Sequence, residues 1–207
     1  MTSNRVAIAL VTSLFFLWAL AHNLNPILIP HLRKALQLTD LRSALVDSAF
    51  FIAYFVMALP AGALMKRFGY KAGIVGGLLL FAMGTFLFWP AATLRSYPFF
   101  LSALFVIASG LTFLETAANP YISVLGDPAS APRRLNFAQA FNGLGAALAA
   151  FFGGRFILSG TALTNEEIQA MHPEDLNAFL TSEALAVRVP YLIIGLIVLT
   201  AAVLFLR

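Results

Sequence analysis

Six stretches of this chain are apolar over lengths near the roughly 20 residues that a helix needs to cross a bilayer. They run from about 6 to 30, 41 to 64, 72 to 90, 97 to 125, 135 to 158 and 189 to 206. In lipid a backbone must satisfy its own polar groups, which confines such stretches to helices. The connections are short except for a polar loop over 159–188, and no soluble domain fits into what remains. Charged residues make up 11% of the chain, against about 25% in soluble domains. The sequence therefore predicts an all-α integral membrane protein with a single six-helix transmembrane domain over residues 1–207. Arg5 precedes the first run and Ala19-Leu20-Ala21 offers a small-x-small pattern, but the run continues to Pro30, so the segment reads as a span and not as a cleaved leader.

Composition also excludes functions. The net charge of +4 comes from basic residues in twos and threes between apolar runs, without the basic face that nucleic acid requires, and reads as loop charge. The absence of cysteine rules out disulfides, thiolate metal sites and cysteine nucleophiles. No nucleophile–base pair, metal-ligand cluster or phosphate-binding glycine loop stands out, so neither an enzyme nor a cofactor is expected. His172, in the polar loop, reads as solvated. Leu176, Phe179 and Leu180 there share amphipathic helical spacing, which predicts a surface helix. The densest basic cluster, Lys66-Arg67-Phe68-Gly69-Tyr70-Lys71, places its loop in the cytoplasm, and the N-terminus with it.

The fourth run carries the strongest functional signal. Glu115 and Pro120 both lie inside it, in Phe113-Leu114-Glu115-Thr116-Ala117-Ala118-Asn119-Pro120-Tyr121. An ionisable side chain near the bilayer centre costs about 2.5 to 3.5 kcal/mol on insertion scales, so it faces a bundle interior or a water-filled cavity. A proline in such a helix survives where neighbours or water satisfy the freed carbonyl. In the first span Trp18, His22 and Asn25 fall at i, i+4 and i+7, on one helix face, with Asn23 beside them. In the fifth, Asn136, Gln139 and Asn142 form a stripe at i+3 steps. Uncharged hydrogen-bonding side chains on one side of a membrane helix suit a polyhydroxylated ligand. The alternative for all of these amides is hydrogen bonding between helices. Asp47, about two turns into the second span and near Arg42, reads as a hydrated interfacial acid.

Asn25-Pro26 and Asn119-Pro120 sit at corresponding depths in the first helix of two three-helix groups. Interrupted helices at matching places in two halves point to a transporter site near the midplane. In order along the chain, Asn23-Leu24-Asn25 with Ile27-Leu28-Ile29-Pro30, Leu59-Pro60-Ala61-Gly62 leading to Gly69-Tyr70-Lys71-Ala72-Gly73, Leu114-Glu115-Thr116-Ala117-Ala118-Asn119-Pro120, and Arg134-Leu135-Asn136-Phe137-Ala138-Gln139-Ala140-Phe141-Asn142 resemble the L-fucose:proton symporter branch of the major facilitator superfamily.

The resemblance implies the amino-terminal half of a twelve-helix carrier in a bacterial inner membrane, built as two inverted three-helix repeats. Its partners would be a hexose or deoxyhexose, protons, the lipid bilayer and a second six-helix half from the same gene or a partner chain. It further implies that Glu115 couples protons, and that Asn23, Gln139 and Asn142 lie near the sugar. Trp18, His22, Asn25, Asn119 and Asn136 complete the candidate site. Pro26 stands where the family usually has an aspartate, so an uncoupled facilitator is the alternative carrier. A non-transporting receptor or assembly subunit is the alternative outside transport. In the family motif Gly-x-x-x-Asp-Arg-x-Gly, Lys66 replaces the acid.

Overall fold

The computed structural model describes residues 2–157, 163, 167–168 and 170–206, and all regular structure among them is helical. Helix α1 is Thr2–Ala35, α2 is Asp40–Thr93 and α3 is Tyr97–Val124. A 3-10 turn at Pro128–Ser130 leads into α4, Ala131–Ile157, and after the long loop come α5, Pro173–Ala186, and α6, Arg188–Leu206. Among the described residues five helical stretches are long and apolar enough to cross a membrane, where the sequence predicts six. The difference lies in α2, whose 54 residues hold the second and third expected spans. At 1.5 Å per residue it would measure about 80 Å, far beyond a hydrocarbon core of about 30 Å. Gly69 breaks it, with φ 82° and ψ 171°, a conformation open to a residue without Cβ.

Prolines do not interrupt the helices as the sequence suggests. Both α1 and α3 run on through Pro26, Pro30 and Pro120. Proline fixes φ near −65°, which is helical, and removes one donor without reversing the chain.

The core is built from large rings and close backbones. Phe15, Phe50, Phe81, Phe88 and Phe100 are fully buried, and the ring of Tyr191 from α6 stacks flat on Phe88 with centroids 3.7 Å apart. Glycines let the second limb of α2 approach α3: a Cβ at Gly110 would stand 2.5 Å from the backbone nitrogen of Phe81 and 2.6 Å from the carbonyl oxygen of Gly77. Gly145 and Gly153 of α4 do the same against Phe16, Leu24 and Ile27 of α1. Small residues at such crossings are how membrane helices gain packing where lipid supplies no hydrophobic drive. Phe55 and Leu59 are 84% and 83% exposed, a surface that a bilayer or another apolar wall would cover.

Polar side chains fasten the helix ends. The Arg134 guanidinium, at the start of α4, donates to the carbonyls of Ile122 (3.2 Å), Ser123 (2.9 Å) and Asp127 (2.8 Å), and to the Ser130 hydroxyl. It thereby satisfies carbonyls that the end of α3 leaves open. Helix α5 lies where the amphipathic spacing predicts one, with Leu180 buried and His172, at its N-cap position, exposed. Glu183 of α5 holds it to the end of α1: its carbonyl accepts from Nε2 of His31 (2.7 Å) and its carboxylate meets Nζ of Lys34 at 3.3 Å. Arg95, in the turn between α2 and α3, donates to Asn177 (2.6 Å) and Thr181 (3.2 Å) of α5.

Candidate functional site

Two walls carry the polar residues singled out in the sequence. The first comprises α3 and α4. Glu115 is half-buried on α3, and one turn later the Asn119 amide donates to the Glu115 carbonyl at 3.0 Å. Gln139 of α4 then donates through Nε2 to Oδ1 of Asn119 at 3.4 Å. Glu115, Asn119 and Gln139 are thus drawn together across two helices. Gln139 and Asn136 are exposed and Asn142 is half-buried, so this row of amides lines an open face of the described chain.

The second wall is α1 with the first limb of α2. Trp18 is 8% exposed and packs on Phe15 with ring centroids 5.4 Å apart. His22 is half-buried and meets Phe50 and Tyr54 edge-on, at 5.5 and 6.1 Å. Its Nδ1 is buried without a hydrogen bond. The Asn25 amide, 4% exposed, donates to Oδ1 of Asp47 at 3.1 Å, while its own Oδ1 stays buried and unpaired. Asn23 turns its amide back onto its own helix, donating to the Ala19 carbonyl at 2.8 Å. Pro26 is exposed.

Asp47 differs from its sequence reading. It is half-buried and bonded to α1, whereas Arg42 is exposed and bonds elsewhere, its carbonyl accepting from the Tyr97 hydroxyl at 2.8 Å and its backbone N–H donating to the Thr39 hydroxyl. The reason is register: Ser43, Asp47, Phe50 and Tyr54 form one stripe of α2 at steps of three and four residues, and it faces the stripe of His22 and Asn25. Sequence reasoning also passed over Tyr54. Its hydroxyl lies near Trp18 and within the field of Glu115, yet is buried without a well-formed hydrogen bond. Tyr54 adds its ring to the second wall, against His22 and Phe50. The signal was available, since Tyr54 follows Asp47 by seven residues on the same face.

Across the two walls, the carboxyl groups of Glu115 and Asp47, six amides, the His22 imidazole and the Trp18 indole supply donors and acceptors of the kind that hydroxyl groups bond. Apolar grooves elsewhere lack this chemistry. The one between α1, α4 and α6, about 370 Å³ and lined by residues such as Leu20, Ala149 and Ile193, offers no polar group to orient a sugar.

The chain has similar proteins among those already known. The chain is 49% identical over 202 residues to the L-fucose-proton symporter of Escherichia coli (strain K12), covering 97% of this chain and 46% of that protein. It is 46% identical over 199 residues to the glucose/galactose transporter of Brucella abortus biovar 1 (strain 9-941), covering 96% of this chain and 45% of that one. It superposes on the crystal structure of the transporter FucP in the outward conformation with a TM-score of 0.87 and 49% identity, covering 99% of this chain and 50% of that one. The chain thus spans about half the length of the curated relatives it matches. Residues 7–207 match the model of the Major Facilitator Superfamily, and the chain belongs to that family of membrane proteins.

Proposed function

We propose that this chain forms one half of a secondary transporter that moves a hexose or deoxyhexose such as L-fucose, linked to protons through Glu115. The observation that supports the reading is that α3 carries the half-buried acid Glu115 one turn from Asn119, whose Oδ1 accepts from Gln139 of α4, so that an acid and amides from two helices lie close together. The names of the relatives, a fucose-proton symporter and a glucose/galactose transporter, support the same class of cargo. The chain crosses a bacterial inner membrane six times as two inverted three-helix repeats, the break at Gly69 separating the second and third crossings, and the N-terminus is cytoplasmic. A second six-helix half, from the same gene or a partner chain, supplies the opposite wall. In this family the two halves are related by an axis along the membrane normal, with the substrate between them.

The cycle follows from the cost of burying charge. A carboxylate without a partner is expensive in a closed site, and the neutral acid is not. Glu115 takes a proton from the outer side, donates to a sugar hydroxyl as the site closes, and releases the proton when water from the cytoplasmic side reaches it. The test is sugar uptake into proteoliposomes under an imposed pH gradient. The two halves together should accumulate sugar and this chain alone should not. Robust uptake by the single half as a monomer would overturn the reading. Pro26 favours a second reading, a facilitator that equilibrates sugar: uptake that the two halves carry out without any response to the gradient would select it.

The amides of α4 supply a quantitative check. Gln139→Ala and Asn142→Ala should each weaken sugar binding by about 1 to 3 kcal/mol, the penalty of leaving a buried hydroxyl unpaired. Folding should change little, because both side chains lie on an open face. Calorimetric titration of the completed carrier gives the affinities, and unchanged affinity in both variants would return these residues to a packing role.

A further inference from the structure

We infer that Arg188 and Trp89 form a site for the headgroup of an anionic phospholipid, with an acyl chain of that lipid lying in the furrow between α2 and α6. The inference goes beyond the transport reading and does not depend on it. Helix α6, Arg188–Leu206, has 19 residues, about 28 Å at 1.5 Å per residue, which matches a hydrocarbon core of about 30 Å. Arg188 therefore stands at one membrane boundary, where lipid phosphates lie. It is the end of the bundle that carries α5, opposite the cluster from Lys66 to Lys71. Trp89 is exposed one turn before α2 ends at Thr93, on the same level.

The other cations at this end have acceptors or open water. Arg33 pairs with Asp40, Lys34 pairs with Glu183, and Arg95 donates to Asn177, Thr181 and the Ala35 carbonyl. Arg42 is exposed. Arg188 is half-buried, and among the described residues no carboxylate pairs with it. Its Cζ stands 3.7 Å from the centroid of the Trp89 ring, and its Nε is buried without a hydrogen bond. A guanidinium that close lies against the face of the ring, whose attraction holds the charge in place without neutralising it. The donors that remain point outward in the plane of the guanidinium, the fork that takes two oxygens of one phosphate.

The apolar part of the ligand has its own place. Leu192 and Leu196 follow Arg188 at i+4 and i+8, on its face of α6. Phe86 and Met83 precede Trp89 on α2 at steps of three. The two helices touch along this line, since a Cβ at Gly195 would stand 2.6 Å from Cε1 of Phe86. Leu196 and Met83 are both exposed, so the contact leaves a furrow with apolar walls and the Arg188–Trp89 pair at its mouth. A phospholipid presents a phosphate and then a chain in that order, whereas a soluble anion presents only the first.

The test uses the purified chain in detergent with equimolar phosphatidylglycerol and phosphatidylethanolamine, and native mass spectrometry to count the lipids retained. Phosphatidylglycerol should be retained in preference. Arg188→Gln should lower its retention about fivefold, the weight of one basic residue at a membrane surface, while Arg42→Gln, at an exposed arginine of the same end, should change nothing. Leu196→Trp, which fills the furrow from an exposed position, should lower retention with Arg188 in place. Excess glycerol 3-phosphate should not displace the lipid. Equal retention of the two lipids by the parent chain would overturn the inference, as would full retention in Arg188→Gln. Displacement by glycerol 3-phosphate would overturn it too, by marking an anion site that needs no membrane. If Arg188→Gln does not fold, Leu196→Trp decides, and full retention there rejects the furrow.

Discussion

In the completed carrier, Glu115→Gln should abolish accumulation of sugar against its gradient while leaving the protein inserted and able to exchange sugar. Glutamine keeps the volume of the side chain and its hydrogen-bonding capacity but cannot carry a proton. With one proton per sugar, a gradient of one pH unit is worth about 1.4 kcal/mol, or about tenfold accumulation, and the variant should lose all of it. Uptake at several external pH values, with counterflow as the control for binding and movement, separates coupling from transport. A variant that accumulates sugar as the parent does, with the same pH dependence, would assign Glu115 a structural role.

The largest effect on folding is expected at Gly110. Its absent Cβ would stand against backbone atoms of two residues of α2, the nitrogen of Phe81 at 2.5 Å and the carbonyl oxygen of Gly77 at 2.6 Å. Backbone inside a packed helix cannot swing aside as a side-chain tip can. Overpacking of a core by single methylenes costs about 1 to 3 kcal/mol, so Gly110→Ala should fall at the upper end of that range. Gly110→Leu should prevent a monodisperse folded chain. Gly62→Ala is the matched control, since nothing lies within 4 Å of the added carbon. Thermal unfolding in detergent, followed by circular dichroism and size exclusion, gives the comparison. Equal stability of Gly110→Leu and Gly62→Ala would mean that α2 and α3 do not meet as described.

What the sequence made legible follows from what each signal depends on. Apolar length and charge depletion depend only on the bilayer, so the helical membrane character was readable without knowing any neighbour. The same holds for α5, whose apolar spacing needs only one face to bury. Glu115 and the amides of α4 stand out in the sequence because polar groups inside apolar runs of spanning length are expensive wherever they point. Partnership was not legible. Asp47 read as interfacial because its depth along α2 suggested water, and nothing in a linear sequence says that Asn25 stands opposite it at 3.1 Å. The prolines suggested broken helices, yet α1 and α3 absorb them, since one missing donor does not reverse a helix that neighbours support. The glycine-rich third span pointed to tight packing, but a Cβ at Gly76 would meet only Leu64, at an ordinary 3.6 Å, whereas one at Gly77 or Gly84 would run into α3. Which face a glycine turns to its neighbour is a tertiary fact.

Arg134 fastens the end of the helix that carries Glu115 and Asn119 to the beginning of the helix that carries Gln139 and Asn142. A binding surface whose parts move independently must be ordered by its ligand, at about 0.5 to 1.5 kcal/mol for each flexible side chain stilled. Here the two helices are already clamped at one end, so under the proposed function an arriving sugar would meet amides whose relative positions were settled when the chain folded. The entropy of assembling that wall would then fall on folding and not on binding, and a looser clasp would weaken binding without removing a single contact to the ligand.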